Sequence, residues 1–106
     1  MDMDDMRANY ARLRREQARL IVLRTLGEDT HGSENSDILL HELRRFAIRE
    51  SREWLHEELR WLENMGALRL TAAGSLLVAT LTEKGQRHLD REIAIEGVQR
   101  PRRPEV

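Results

Sequence analysis

After Gly66 the hydrophobic period of the chain changes from about 3.6 residues to about 2, and this switch constrains the fold more than any other feature of the sequence. Up to Met65 the apolar residues recur at helical spacing. From Ala67 onward they alternate: Ala67-Leu68-Arg69-Leu70-Thr71 reads as a strand, Ala72-Ala73-Gly74-Ser75 as a turn, and Leu76 to Leu81 as the returning strand. Two short strands with a glycine between them predict a β-hairpin. The chain is therefore expected to be mostly α with one two-stranded β-hairpin.

Three helices are predicted before the switch. The first runs from Asp4 to Leu26, with Met3, Met6, Tyr10 and Leu13 three and four apart and a wider stripe from Leu20 to Leu26. Gly27 is its expected stop, and residues 28–34 are expected to form a polar loop. Asn35 or Ser36 caps a second helix that presents Ile38, Leu39, Leu43 and Phe46 to the core. After a short turn, Ala47 to Glu50, Ser51 caps a third helix that runs to Met65. Leu55, Leu59 and Leu62 face its core side, with Trp54, Glu58, Trp61 and Met65 on the flank. Beyond the hairpin, Thr82 caps a last helix from Glu83 to about Ile93. Residues 1–95 then form one domain with an N-terminal helical extension, and residues 96–106 a basic flexible tail.

The chain has 106 residues, 40% of them hydrophobic and 35% charged, which suits one globular domain. Cysteine is absent, which excludes disulfides, thiolate metal sites and cysteine nucleophiles. The acidic start Met1-Asp2-Met3-Asp4-Asp5 is unlike a signal peptide, and no apolar run reaches membrane-spanning length. A cytoplasmic location is the expectation. His31, His41, His56 and His88 show no ligand spacing, and neither a Ser-His-Asp grouping nor a glycine-rich phosphate loop is present, so neither an enzyme nor a metal or cofactor site is expected.

The order helix, helix, short turn, helix, hairpin, helix is that of a winged helix-turn-helix. The pattern Ser51…Leu55…Leu59…Leu62…Gly66-Ala67-Leu68, followed by Leu81-Thr82-Glu83-Lys84-Gly85, resembles winged-helix bacterial regulators of the ArsR, MarR and PadR type. The stretches Glu58 to Glu63, Leu76 to Gly85 and Gly97 to Pro101 resemble a family of small winged-helix proteins of Mu-like phages and prophages, over roughly residues 16–101. The resemblance implies a phage-encoded winged helix acting in a bacterial host. Two functions are open: a DNA-binding transcriptional regulator, or a protein-interaction adaptor in phage morphogenesis or packaging that keeps the fold without binding DNA.

For duplex DNA the candidates are Arg49, Arg52, His56 and Arg60 on or beside the third helix, Arg69 on the hairpin, and Arg100, Arg102 and Arg103 on the tail. Arginine forks onto base edges and phosphates alike. Charge argues the other way. Residues 1–26 carry six arginines against four acids, but residues 27–66 carry five against ten, with Glu50, Glu53, Glu57, Glu58 and Glu63 in or beside the third helix. An acidic helix is repelled by phosphate. In the adaptor reading, Trp54 and Trp61 are the first candidates for a contact surface. The stripe Met3, Met6, Tyr10 and Leu13 exceeds what the domain needs and is the expected contact of a homodimer.

Overall fold

The computed structural model describes residues 2–103. Four helices and a small three-stranded antiparallel sheet run in the order α1 (Met3–Glu28), β1 (Ser33–Asn35), α2 (Ser36–Arg45), α3 (Arg52–Asn64), β2 (Leu68–Ala73), β3 (Leu76–Leu81) and α4 (Glu83–Leu89). Every helix start obeys one rule: a short polar side chain accepts a hydrogen bond from the backbone N–H three residues on. Asp2 does this for α1, Asn35 for α2, Ser51 for α3 and Thr82 for α4.

At 26 residues, α1 is about 39 Å long. Only its second half is buried, through Ala18, Leu20 to Leu23 and Leu26, which pack against α2, α3, α4 and β3. The helix does not stop at Gly27. A Cβ there would lie 2.9 Å from Leu89 Cδ1, so the glycine admits α4 rather than ending α1. The chain turns after Glu28 instead, where Asp29 Oδ2 accepts from the N–H groups of His31 and Ser33 at 2.8 and 3.2 Å.

The expected polar loop 28–34 contains a strand, and this corrects the two-stranded hairpin. Ser33, Glu34 and Asn35 pair with Thr80, Ala79 and Val78, giving the sheet order β1-β3-β2. Three residues are too few to display an alternating pattern, and Ser33 is held by its Oγ against Thr80 Oγ1 at 2.8 Å rather than by apolar burial. The hairpin itself is tighter than expected. Ala72 and Ala73 pair with Leu77 and Leu76, leaving the two-residue turn Gly74-Ser75 with Gly74 at φ +61°. On the outer edge of the sheet, the Leu70 N–H donates to Glu63 Oε2 at 2.8 Å.

Within α2 the buried apolar residues are Leu39, Leu40 and Leu43, while Ile38 and the C-terminal cap Phe46 are about half exposed. The buried face runs through positions 36, 39, 40 and 43, and this rotates Ile38 and Phe46 off the core. In α3, Leu55, Leu59 and Leu62 are buried as the spacing predicts. Glu58 is buried too. Its Oε1 accepts from Arg19 Nε at 2.7 Å, and Arg15 Nε lies 4.0 Å from Oε2. Arg19 also stacks 3.7 Å from the Trp61 ring centroid and donates to the Gly97 carbonyl at 2.8 Å.

The last helix ends at Leu89, four residues short of the expectation, because Arg91 adopts a left-handed φ of +61°. The segment beyond it is packed, which corrects the flexible tail expected from residue 96. Ile95, Val98 and Pro101 are buried. The Gln99 N–H donates to the Glu16 carbonyl at 3.1 Å. His88 anchors the segment from below: Nδ1 accepts from the Ile95 N–H at 3.0 Å, so Nε2 carries the proton and donates to the Gln99 carbonyl at 2.9 Å. Burying a few apolar side chains offsets the cost of ordering this segment, which its arginines and prolines alone do not suggest. Arg102 and Arg103 are exposed, and residues 104–106 of the expected tail lie outside the described residues.

The Leu81-Thr82-Glu83-Lys84-Gly85 stretch closes the end of α3. Thr82 Oγ1 donates to the Gly66 carbonyl at 2.6 Å, and Lys84 Nζ donates to the Met65 carbonyl at 2.7 Å. Gly85 sits so close to the chain that a Cβ would lie 2.2 Å from the Ala67 carbonyl oxygen. Backbone cannot yield as a flexible side chain can. Gly85→Ala is therefore expected to destabilise the fold by about 2–3 kcal/mol, read as a lowered urea midpoint, whereas Gly74→Ala, with open space around it, should cost only the strain of its positive φ, about 1–2 kcal/mol.

Candidate nucleic-acid interface

The N-terminal ends of α2 and α3 meet the hairpin at one buried hydroxyl. Ser36 Oγ accepts from the Leu77 N–H at 3.1 Å and lies 3.2 Å from His56 Nε2. Leu77 is next but one to the hairpin turn, so a single side chain fixes α2, α3 and the distal part of β3 relative to each other. With Leu77 donating to its oxygen, the Ser36 hydroxyl is free to give its proton to an unprotonated His56 ring.

Partial burial holds the His56 pKa below the usual histidine value, and the positive charges of Arg60 and Arg52 push the same way against Glu53 and Asp37. A lowered folded-state pKa means that the unfolded chain binds the proton more readily. The resulting stability is complete above pH 6.5 and is lost as pH falls below it.

Arg52, His56 and Arg60 are four residues apart and so share one side of α3. They are not equivalent. Arg52 Nη2 donates to Asp37 Oδ1 and Oδ2 at 3.1 and 3.4 Å, tying it to the first turn of α2. Arg60 is exposed and makes no ion pair or hydrogen bond among the described residues, and the same is true of Arg49. Glu53 and Glu57 are exposed on the same helix. Arg69 lies on the outer strand opposite Thr80, three residues along β3 from Leu77, or about 10 Å away. Arg69 therefore sits apart from the Ser36 corner.

Arg100 and Arg102 lie elsewhere. Together with Arg24, which no sequence motif singles out, they line a groove of about 350 Å³ beside Phe46. Phe46 ends α2, whereas Asp37 begins it; nine residues of helix separate the two by about 14 Å. Arg103 is exposed beyond the groove. Arg52 and His56 thus lie near the start of α2, Arg100 and Arg102 in the groove beside Phe46 at its end, and Arg69 on the sheet. The parts that Ser36 and Asp37 play at this corner carry no signal in the sequence, because they depend on tertiary proximity and not on spacing.

The four candidate dimer residues form a continuous stripe. Met3, Met6, Tyr10 and Leu13 are 55–66% exposed on the half of α1 that holds no fully buried residue. Tyr10 and Leu13 also border a shallow concavity of about 330 Å³ with Arg14 and Gln99. Trp54 and Trp61 are partly buried and pack on the core. Among the described residues no helix is long and apolar enough to cross a membrane, and no three His, Asp or Glu side chains converge as a metal would require. No protein-family model, curated protein or solved structure matches the chain.

A His56→Gln variant should lose the titration. Comparing urea midpoints at about pH 7.5 and about pH 5.5, on either side of the ordinary histidine pKa, the native chain is expected to lose more stability on acidification than the variant; parallel losses would remove His56 as the source.

Proposed function

We propose that the chain is a winged-helix protein that binds duplex DNA, a regulator of phage or prophage genes in a bacterial cytoplasm. The observation that carries the reading is the Ser36 junction. It sets the N-terminal half of α3 beside the start of α2 and the distal hairpin, so that one exposed corner presents a helix and a β-ribbon side by side. A helix entering a major groove contacts bases with its N-terminal residues. Here those are Arg52 and His56, with Arg49 just ahead of them and Arg60 one turn further along the same side. Dimerisation on the Met3, Met6, Tyr10 and Leu13 stripe would present two such corners, as a two-fold symmetric site requires.

A specific observation favours the adaptor reading instead. Arg52 is already neutralised by Asp37, and Glu53 and Glu57 share its helix. In that reading the same corner meets a basic protein surface and leaves DNA alone.

The Asp37–Arg52 pair separates the two. Asp37→Asn releases Arg52 and removes one negative charge. If the corner binds duplex DNA, affinity at moderate salt should rise several-fold, while Arg60→Ala should lower it by about 1–3 kcal/mol and reduce the slope of log affinity against log salt by about 0.9. An adaptor would bind duplex only at or above about 10⁻⁴ M and would be indifferent to both changes.

The assembly is tested separately. Light scattering should give twice the chain mass, falling to one chain on deletion of residues 2–13, a segment that contributes no buried residue. A single-chain mass for the full chain would exclude the dimer.

A further inference from the structure

Seven of the seventeen arginines of this chain are matched to a carboxylate among the described residues. Arg12, Arg14, Arg15, Arg19, Arg45, Arg52 and Arg87 each lie within 4.0 Å of one. Arg24, Arg100 and Arg102 have no such partner among the described residues, and these three line one groove. Among the described residues no acid lines it; the remaining walls are Gln17, Leu20, Phe46 and Gln99. Three guanidinium groups gathered in one groove repel one another, and the arrangement is complementary to negative charge.

The fold holds these arginines in place. Arg24 stands on α1 next to Leu23, which is fully buried. Arg100 and Arg102 flank Pro101, also buried, whose carbonyl accepts a hydrogen bond from Arg91. One residue before Arg100, Gln99 is tied by its N–H to α1 and by its carbonyl to His88. Their backbone positions are therefore set before any ligand arrives, which lowers the ordering cost of binding.

We propose that this groove binds a nucleotide, its phosphate held by Arg24, Arg100 and Arg102 and its base laid on Phe46. Guanidinium forks match phosphate oxygens. Phe46 is 44% exposed at the rim and offers an aromatic face for stacking, the feature that pairs with a basic groove where unpaired bases are held. Gln17 and Gln99 supply amide donors and acceptors for a base edge. A volume of about 350 Å³ takes one nucleotide and not a folded duplex. The nucleotide is either free or part of a single strand. The site stands about 14 Å along α2 from the Asp37–Arg52 pair and does not rest on duplex binding at that corner.

The test uses the full chain and fluorescence anisotropy with a labelled single-stranded DNA of about 12 nucleotides, within the site sizes of strand-binding grooves. Competitors are dATP, inorganic phosphate and poly-glutamate. Arg24→Ala and the Arg100→Ala/Arg102→Ala pair should each weaken binding about tenfold or more, and Phe46→Ala about fivefold or more. Arg12→Ala, which removes equal charge from the distant half of α1, should leave binding within twofold. All these positions are exposed, and thermal melting checks that each variant folds. Displacement by dATP well below the concentration of phosphate needed identifies a free nucleotide as the ligand; resistance to dATP with retained strand binding identifies the strand. The proposal is overturned if the labelled strand does not bind at low salt, if Arg12→Ala costs as much as Arg24→Ala, or if poly-glutamate competes as well as the nucleotide ligands. That last outcome would assign the groove to an acidic protein segment.

Discussion

The guanidinium of Arg19 touches three separate parts of the molecule: the Glu58 carboxylate on α3, the Trp61 ring one turn further along, and the Gly97 carbonyl on the C-terminal segment. Both charges are almost wholly withdrawn from water, a cost that only close geometry and full hydrogen bonding repay. Losing Glu58 would leave the Arg19 charge buried without a carboxylate, at about 3–5 kcal/mol. Gly97 belongs to the same construction. Its φ is +93°, and a Cβ would lie 2.7 Å from the Trp61 ring. The segment that bears Arg100 and Arg102 is therefore seated by a contact made from α1 and α3, and the charged groove is a by-product of how the helices close on each other.

Much of this architecture is legible in the sequence, for local reasons. Asn35, Ser51 and Thr82 cap helices because a short oxygen three residues ahead of a free N–H is a purely local arrangement. Leu55, Leu59 and Leu62 are buried because helical spacing alone puts them on one face. The departures are equally physical. Gly27 reads as a stop until Leu89, far along the chain, is seen to need the space. The strand 33–35 shows no pattern because its partner, not its own polarity, defines it. Phe46 reads as core by its type and lies half exposed by its angle on α2.

For the candidate interfaces, the sequence locates the side of α3 that carries Arg52, His56 and Arg60 but not the state of each. That Arg52 is occupied depends on Asp37, fifteen positions upstream. Arg24 and Arg100 come from opposite ends of the chain, and no motif spacing could have joined them to Phe46.

The Glu63 carboxylate that receives the Leu70 N–H has a consequence for the molecule in a crowded solution. β2 is the outer strand of a sheet whose other edge is the three-residue β1, so β2 is where a second extended chain would dock. A strand in that position offers a ladder of unmet donors and acceptors to any passing backbone. Glu63 takes up one rung from within and places negative charge beside it. An incoming peptide would have to displace an intramolecular hydrogen bond before its first pair could form, which favours a sheet that stays at three strands.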